Sequence, residues 1–423
     1  MRKYFLIILI YNATVVFAQP EVSLDDCYNW ARENYPNLKQ TEIWPKITSL
    51  KKENLKINYL PQVTLNGQAT YQSDVTKVDI AMPGISLPSV SKDQYKAYAE
   101  MKQSIWDGGI TAANAKLEEA VLQSQLSQVE VELYQLNEQV LQAFFTALAM
   151  DKQKEVLAAQ KKVLQEKLKA VQSGVENQMV EKSAALALEA EILNLEQNEL
   201  QLEAGKNTAI QMLSVLTGQT IGKNASLKYE TPEENTQTKL TRPELQLFSA
   251  QKTQLEKQNE LLTKTRNPKV FGFGQAGYGR PGLNMLNNNF DTYYMVGLGV
   301  SWNAFDWKKT SRQKQMLQLQ SQIISKQEET FNQNISLLLA QQNEQIQKLE
   351  KLLETDAKMV TLRTEIAHTS ASKLENETIT TSDYIQDVQA ETIAKLNIGL
   401  HRIQLNEAKE KYNLIIGKVI SDQ

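Results

Sequence analysis

Two histidines, His368 and His401, and one cysteine, Cys27, are all the imidazole and thiol that this 423-residue chain can bring to chemistry. They are too few for the Cys and His sets of a zinc site or for a Cys–His nucleophile. One cysteine also cannot form an internal disulfide. Carboxylates are plentiful, with 49 Asp and Glu, but they are scattered along the chain without a convergent set. No Gly-x-x-x-x-Gly-Lys-Ser/Thr phosphate loop is present. The expectation is a protein that is not an enzyme and carries neither metal nor cofactor. A net charge of −3 argues against nucleic acid as a partner, because such a surface would need a basic footprint.

The scaffold for whatever these residues do must be elongated. Hydrophobic residues make up 41% of the chain and aromatics 7%, a modest supply for a spherical core of this size. Proline is absent from 89 to 231 and from 282 to the end, and residues 110 to 173 contain neither Gly nor Pro. That stretch alone could form a helix of roughly 95 Å at about 1.5 Å per residue. In the second long tract, Phe331, Ile335, Leu338, Ile346, Leu349, Leu353 and Val360 mark a narrow apolar seam, with Gln342 filling one beat.

The N-terminus reads as an address. Arg2 and Lys3 precede an apolar stretch from Tyr4 to Val16, and Val16-Phe17-Ala18 supplies a cleavage site before Gln19. Thirteen residues fall well short of a ~30 Å hydrocarbon core, which argues against a transmembrane anchor there. Cys27 follows Leu24-Asp25-Asp26, without the small residue that precedes a lipidated cysteine, and is expected to be buried. A mature protein that enters a membrane would have to do so with strands.

Strand periodicity appears in two places. Gln62 to Gln72 alternates polar with apolar or small residues, and Tyr95, Ala97, Ala99 and Met101 continue the pattern against Lys96, Tyr98, Glu100 and Lys102. A second pair lies at Val270 to Tyr278 and along Tyr294, Val296, Leu298, Val300 and Trp302. The pairs are copies. Pro61 and Gly67-Gln68-Ala69-Thr70-Tyr71 match Pro268 and Gly274-Gln275-Ala276-Gly277-Tyr278 at an offset of 207. Beyond the strand loop the offset is 199: Trp106-Asp107 on Phe305-Asp306, Glu176-Asn177 on Glu375-Asn376, and Gly218 on Gly417. Each half therefore reads helix, strand, loop, strand, long helix, turn, helix. A plain antiparallel coiled coil would explain the seam but not the strand hairpins.

In this order, several short elements resemble the TolC-like outer-membrane efflux duct family. Ser23-Leu24-Asp25-Asp26 through Ala31-Arg32-Glu33-Asn34-Tyr35-Pro36-Asn37-Leu38 is similar to its opening helix, and Arg242-Pro243-Glu244-Leu245 to the start of its second repeat. Val296 to Trp302 running into Phe305-Asp306 resembles its last strand and entry to the long helix. The resemblance implies a mainly α fold with membrane β: two structural repeats, a homotrimer sharing a twelve-stranded barrel, and a helical barrel continuing into the periplasm. It implies localisation in the outer membrane, with outer-membrane lipid, a periplasmic adaptor and an inner-membrane transporter as partners.

The function so implied is a passive exit duct for small-molecule efflux. Type I protein secretion and metal-ion efflux use the same kind of duct, and a structural periplasmic coiled coil is the reading from another class. The resemblance also places an aspartate at the closed aperture, where this chain has Asp383; Asp387, one turn on, shares its helix face. Leu374, Ile379 and Gln386 stand where the family has the tyrosine, arginine and second aspartate of its gating network. The turns carrying Gly174, Glu176, Asn177, Glu375 and Asn376 are the expected adaptor contacts. The expected divisions are a signal peptide at 1–18, a first repeat at 19–222 with strands at about 62–73 and 94–105, a linker at 223–239, and a second repeat at 240–423 with strands at about 269–279 and 292–303.

Overall fold

The computed structural model describes residues 21–76, 90–229 and 240–418. The expected signal peptide and the stretch 230–239 of the expected linker lie outside the described residues. In chain order the elements are β1 (Glu21–Ser23), α1 (Leu24–Asn34), α2 (Gln40–Ile57), β2 (Gln62–Tyr71), β3 (Asp93–Trp106), α3 (Ile110–Glu176), α4 (Lys182–Thr217), β4 (Ser226–Lys228), α5 (Pro243–Lys264), β5 (Lys269–Arg280), β6 (Asp291–Ser301), α6 (Lys309–Glu375) and α7 (Thr381–Ile416). Among the described residues no helix is long and apolar enough to cross a membrane.

The repeat is reproduced in the backbone. Helices α3 and α6 both have 67 residues and α4 and α7 both have 36, each pair displaced by 199. The same local chemistry starts and stops them. Asp107 accepts hydrogen bonds from the Gly109 and Thr111 amides at the start of α3, and Asp306 accepts one from the Thr310 amide at the start of α6. These carboxylates satisfy amides that have no intrahelical partner. Gly218 and Gly417 end α4 and α7 in the left-handed conformation, φ +66° and +93°. A side chain at Gly417 would also meet Thr241 backbone at 2.5 Å, so that stop requires glycine twice over.

The chain forms two compact units. Among the described residues the first comprises 21–38, 132–229, 240–242 and 333–418. One apolar cluster here centres on Phe144, Phe145, Leu141 and Val140 of α3 and Ile210 and Leu213 of α4, with Cys27, Tyr28 and Ala31 of α1 packed in. Cys27 is fully buried, as expected. A second cluster takes Leu157, Leu164 and Val171 of α3, Leu188, Ile192 and Leu195 of α4, and Tyr384 and Val388 of α7. The seven-residue spacing in α3 is a coiled-coil seam. Of the seam read in α6, Ile335 and Leu349 are buried while Leu338 is 45% exposed. Gln342 fills its beat by donating to the Ala408 carbonyl at 3.0 Å. Parallel pairing of β1 with β4 ties the start of the described chain to the segment after α4.

The second unit comprises 39–131 and 243–332. Its centre is a four-stranded antiparallel sheet in the order β2-β3-β5-β6. Helix α2 runs with the start of α3 through Lys51–Glu118 and Lys52–Glu119 ion pairs. Helix α5 runs with the start of α6 through Lys252–Glu328 and an edge-on contact of Phe248 with Phe331. The two helix pairs are again copies.

Candidate functional site: a two-faced sheet and a paired helical tip

Strand register decides what each face of the sheet presents, because directly opposed residues share a face. Leu65 opposes Ala99, Ala99 opposes Ala276 and Ala276 opposes Tyr294; two residues along, Val63, Met101, Gly274 and Val296 line up in the same way. The row on one side is Gly67, Ala97, Tyr278 and Thr292, and the row on the other is Gln103, Gly272 and Leu298. This face carries no charge until the strand ends, where Arg280 and Asp93 pair with each other. It is also bare: Leu65 is 85% exposed and Val296 80%.

The opposite face is polar along β2 and β3. Gln62, Thr64, Asn66, Gln68 and Thr70 oppose Lys102, Glu100, Tyr98, Lys96 and Gln94. On β5 and β6 the same face carries rings laid over glycines. A Cβ at Gly297 would lie 2.6 Å from the Phe273 ring, and one at Gly299 2.5 Å from the Phe271 ring. Those glycines are seats for aromatic rings, which explains a strand rich in a residue that ordinarily weakens strands.

Aromatics also mark both ends of the apolar face. Tyr71, Tyr95 and Tyr278 lie toward the strand loops, and Trp106, Trp302 and Phe305 toward the helices. Thr292, the partner of Tyr278, is ten residues from Trp302. At about 3.3 Å per residue and a tilt near 45°, that separation spans about 23 Å, close to the ~25 Å apolar band of outer-membrane barrels. Both outer strands, β2 and β6, have one edge without a partner strand among the described residues.

The helical tip lies in the first unit. Both hairpins turn in the same way: the Met179 and Thr378 amides bond to the Gly174 and Lys373 carbonyls, and the Gln178 and Glu377 amides to the Val175 and Leu374 carbonyls. This is a Schellman stop, with Gln178 and Glu377 in the left-handed position at φ 57° and 55°. Asn177 and Asn376 each donate a side-chain hydrogen bond to the carbonyl four residues back, Ser173 and Ser372. Gly174, Glu176, Asn177, Glu375 and Asn376 thus sit at the two turns or in the last helical turn before them.

Asp383 and Asp387 are placed differently from each other. Asp383 is exposed and forms a capping box at the start of α7: it accepts from the Thr380 amide at 3.0 Å and hydroxyl at 2.7 Å, and its own amide donates to Thr380. Those Thr380 bonds lower its pKa below the usual aspartate value. Asp387 is half-buried and accepts from the Ser370 hydroxyl of α6. Leu374 and Ile379 pack against the second apolar cluster. Lys167, which the sequence did not single out, spans the two hairpins: its Nζ lies 3.1 Å from Glu375 and 5.7 Å above the Tyr384 ring. Beside it a cavity of about 620 Å³ is lined by Val171, Met179, Val180, Leu374 and Ile379. His401 pairs with Asp356 at 2.6 Å, a structural contact between α7 and α6.

Comparison with known proteins agrees with this geometry. Residues 29–219 match the model of the outer membrane efflux protein family, a stretch a little short of half the chain. No curated protein matches the sequence significantly. The fold is similar to that of the outer membrane protein VceC from Vibrio cholerae, with TM-score 0.66 and 12% identity over 93% of this chain and 96% of that one. It is similar to CusC, with TM-score 0.69 and 11% identity over 95% and 93%. It is also similar to the open state of the MtrE outer membrane channel of Neisseria gonorrhoeae, with TM-score 0.66 and 13% identity over 93% and 89%. The family resemblance and the fold class read from the sequence are borne out. Outer-membrane placement, and a channel rather than an enzyme, go with that family.

Proposed function

We propose that this protein of the outer membrane efflux family is a passive exit duct for small molecules, working as a homotrimer with a periplasmic adaptor and an inner-membrane transporter. The observation that carries the reading is the sheet: one face apolar and bare, the other polar along β2 and β3, with an open edge on each side. Open edges are not tolerated in lipid, and four strands are too few to close a membrane barrel. Three chains would supply twelve strands and remove every edge.

In this reading the polar face lines the lumen. The turns at Gly174, Glu176, Asn177, Glu375 and Asn376 meet the adaptor, and Asp383 with Asp387 faces the aperture. Energy would come from the transporter. Metal-ion efflux and protein secretion would use the same duct with a different transporter. Purified protein added to a planar bilayer should give discrete ionic conductance steps; absence of conductance from folded, inserted protein would favour the structural coiled-coil reading.

A further inference from the structure

Charge and aromatic rings are unevenly spread along the face of the sheet that carries Lys102. Directly opposed residues share a face, so Lys102 of β3 shares it with Phe273 of β5, and Ser104 with Phe271. Lys269, opposite Ser301, comes two residues before Phe271 on the same face. Toward the helices this face therefore carries two lysines and two phenylalanines. The first carboxylate met along it is Glu100, one row farther from the helices, where it opposes Gln275. Neither Lys102 nor Lys269 makes an ion pair among the described residues.

The rings are held in place by what lies opposite them. Phe273 and Phe271 reach over Gly297 and Gly299 of β6, where any side chain would displace them. Their centres are 6.3 Å apart, and both residues are half-buried. Lys102 starts opposite Phe273 and leans one row toward the helices, which puts its Nζ 4.4 Å from the centre of the Phe271 ring. The ammonium thus rests on one ring beside a second. An ammonium without a carboxylate partner, set among exposed aromatic surface, is complementary to an anion that itself carries a ring.

We propose that this patch binds aromatic carboxylates in transit through the barrel: the carboxylate accepts from the Lys102 ammonium, the ring stacks against Phe273, and Lys269 adds attraction from beyond Phe271. An aromatic cation would meet the same rings but be repelled by both lysines. An aliphatic acid would meet the lysines but lose the ring contact. These groups are only partly buried, so the binding is weak and quickly reversed, as a solute that must leave again requires. The inference rests on the duct reading, because this face must line the lumen for a solute in transit to reach it.

The test is a saturation-transfer NMR titration of the full-length protein in detergent with benzoate, beside benzylammonium and cyclohexanecarboxylate at matched ionic strength. Saturable benzoate binding is expected, stronger than that of either analogue. Lys102→Gln should weaken it about fivefold, and Phe273→Leu by a similar factor, while Lys102→Arg retains it. Binding that is absent, that either analogue equals, or that survives Lys102→Gln unchanged would overturn the proposal. If Phe273→Leu fails to fold, the exposed Lys102 variants decide the question alone. Conductance in a planar bilayer separates the two readings. Channels that conduct but show no benzoate binding overturn this inference and leave the duct standing, whereas folded, inserted protein that never conducts removes both.

Discussion

Aspartates at the helix starts of this chain are held by the groups they cap. Burial works against ionisation of Asp107, but hydrogen bonds from Thr111, Tyr59 and the Gly109 amide outweigh it and hold its pKa at about 2. Its folded pKa is depressed, so the stability it contributes is present above the unfolded aspartate range and is lost as pH falls through about 2. Asp107→Ala should cost roughly 0.5–2 kcal/mol of local stability. Hydrogen exchange at Gly109 and Thr111 should read that loss, and unchanged protection would show the cap to be dispensable. Asp383 raises a different question, because a helix cap and an aperture charge would both be damaged by its removal. Thr380→Ala breaks the cap and leaves the carboxylate. Under the aperture proposal, Asp383→Asn weakens block by divalent cations in single-channel recordings while Thr380→Ala does not. Equal loss in both would make Asp383 a cap alone. The capping pattern is legible in Thr380-Thr381-Ser382-Asp383, yet the same residue also matches the family's aperture, and spacing alone cannot separate the two roles.

At the scale of elements, helices are more legible in the sequence than their partners. Missing Gly and Pro mark the long tracts, and the constant offset implies their equal lengths. Strand alternation likewise separates the two faces of β3 residue by residue. The sheet order is not legible, because β3 pairs with β5 across more than 160 residues and no local signal records that choice. Nor is the seating of Phe271 and Phe273 on Gly299 and Gly297, which depends on register. The assignment of faces makes a sharp prediction. Val296 is central in β6 on the apolar face, so Val296→Arg should cost about 2–4 kcal/mol of folding into a bilayer. Gln275→Arg, central in β5 on the polar face, should cost little. Folding yield into lipid vesicles compares them, and equal losses would overturn the assignment of one face to lipid and the other to the lumen.

For the whole molecule, the duplication supplies two strands per repeat, and each repeat alone would leave a hairpin that is at best marginally stable. Joining them through β3 and β5 makes a four-stranded sheet, and the remaining open edges belong to β2 and β6. Because these edges come from opposite ends of one sheet, a second copy can add its β2 to the first copy's β6 in the antiparallel sense that the rest of the sheet already has. Such a contact is heterologous, and it must either close into a ring or run on as a fibre. The right-handed twist and strand tilt of a membrane barrel favour closure, and three copies give twelve strands. The buried Cys27 leaves room for a clean test, since it is inaccessible to a crosslinker. Single cysteines introduced in β2, at Thr64 or Asn66, and in β6, at Tyr293 or Met295, all lie on the polar face. Carrying one of each in the same chain should produce oxidised dimers and trimers at some register, and no larger ladder. Monomers alone at every register would remove the shared barrel, and an unlimited ladder would replace the ring with a filament.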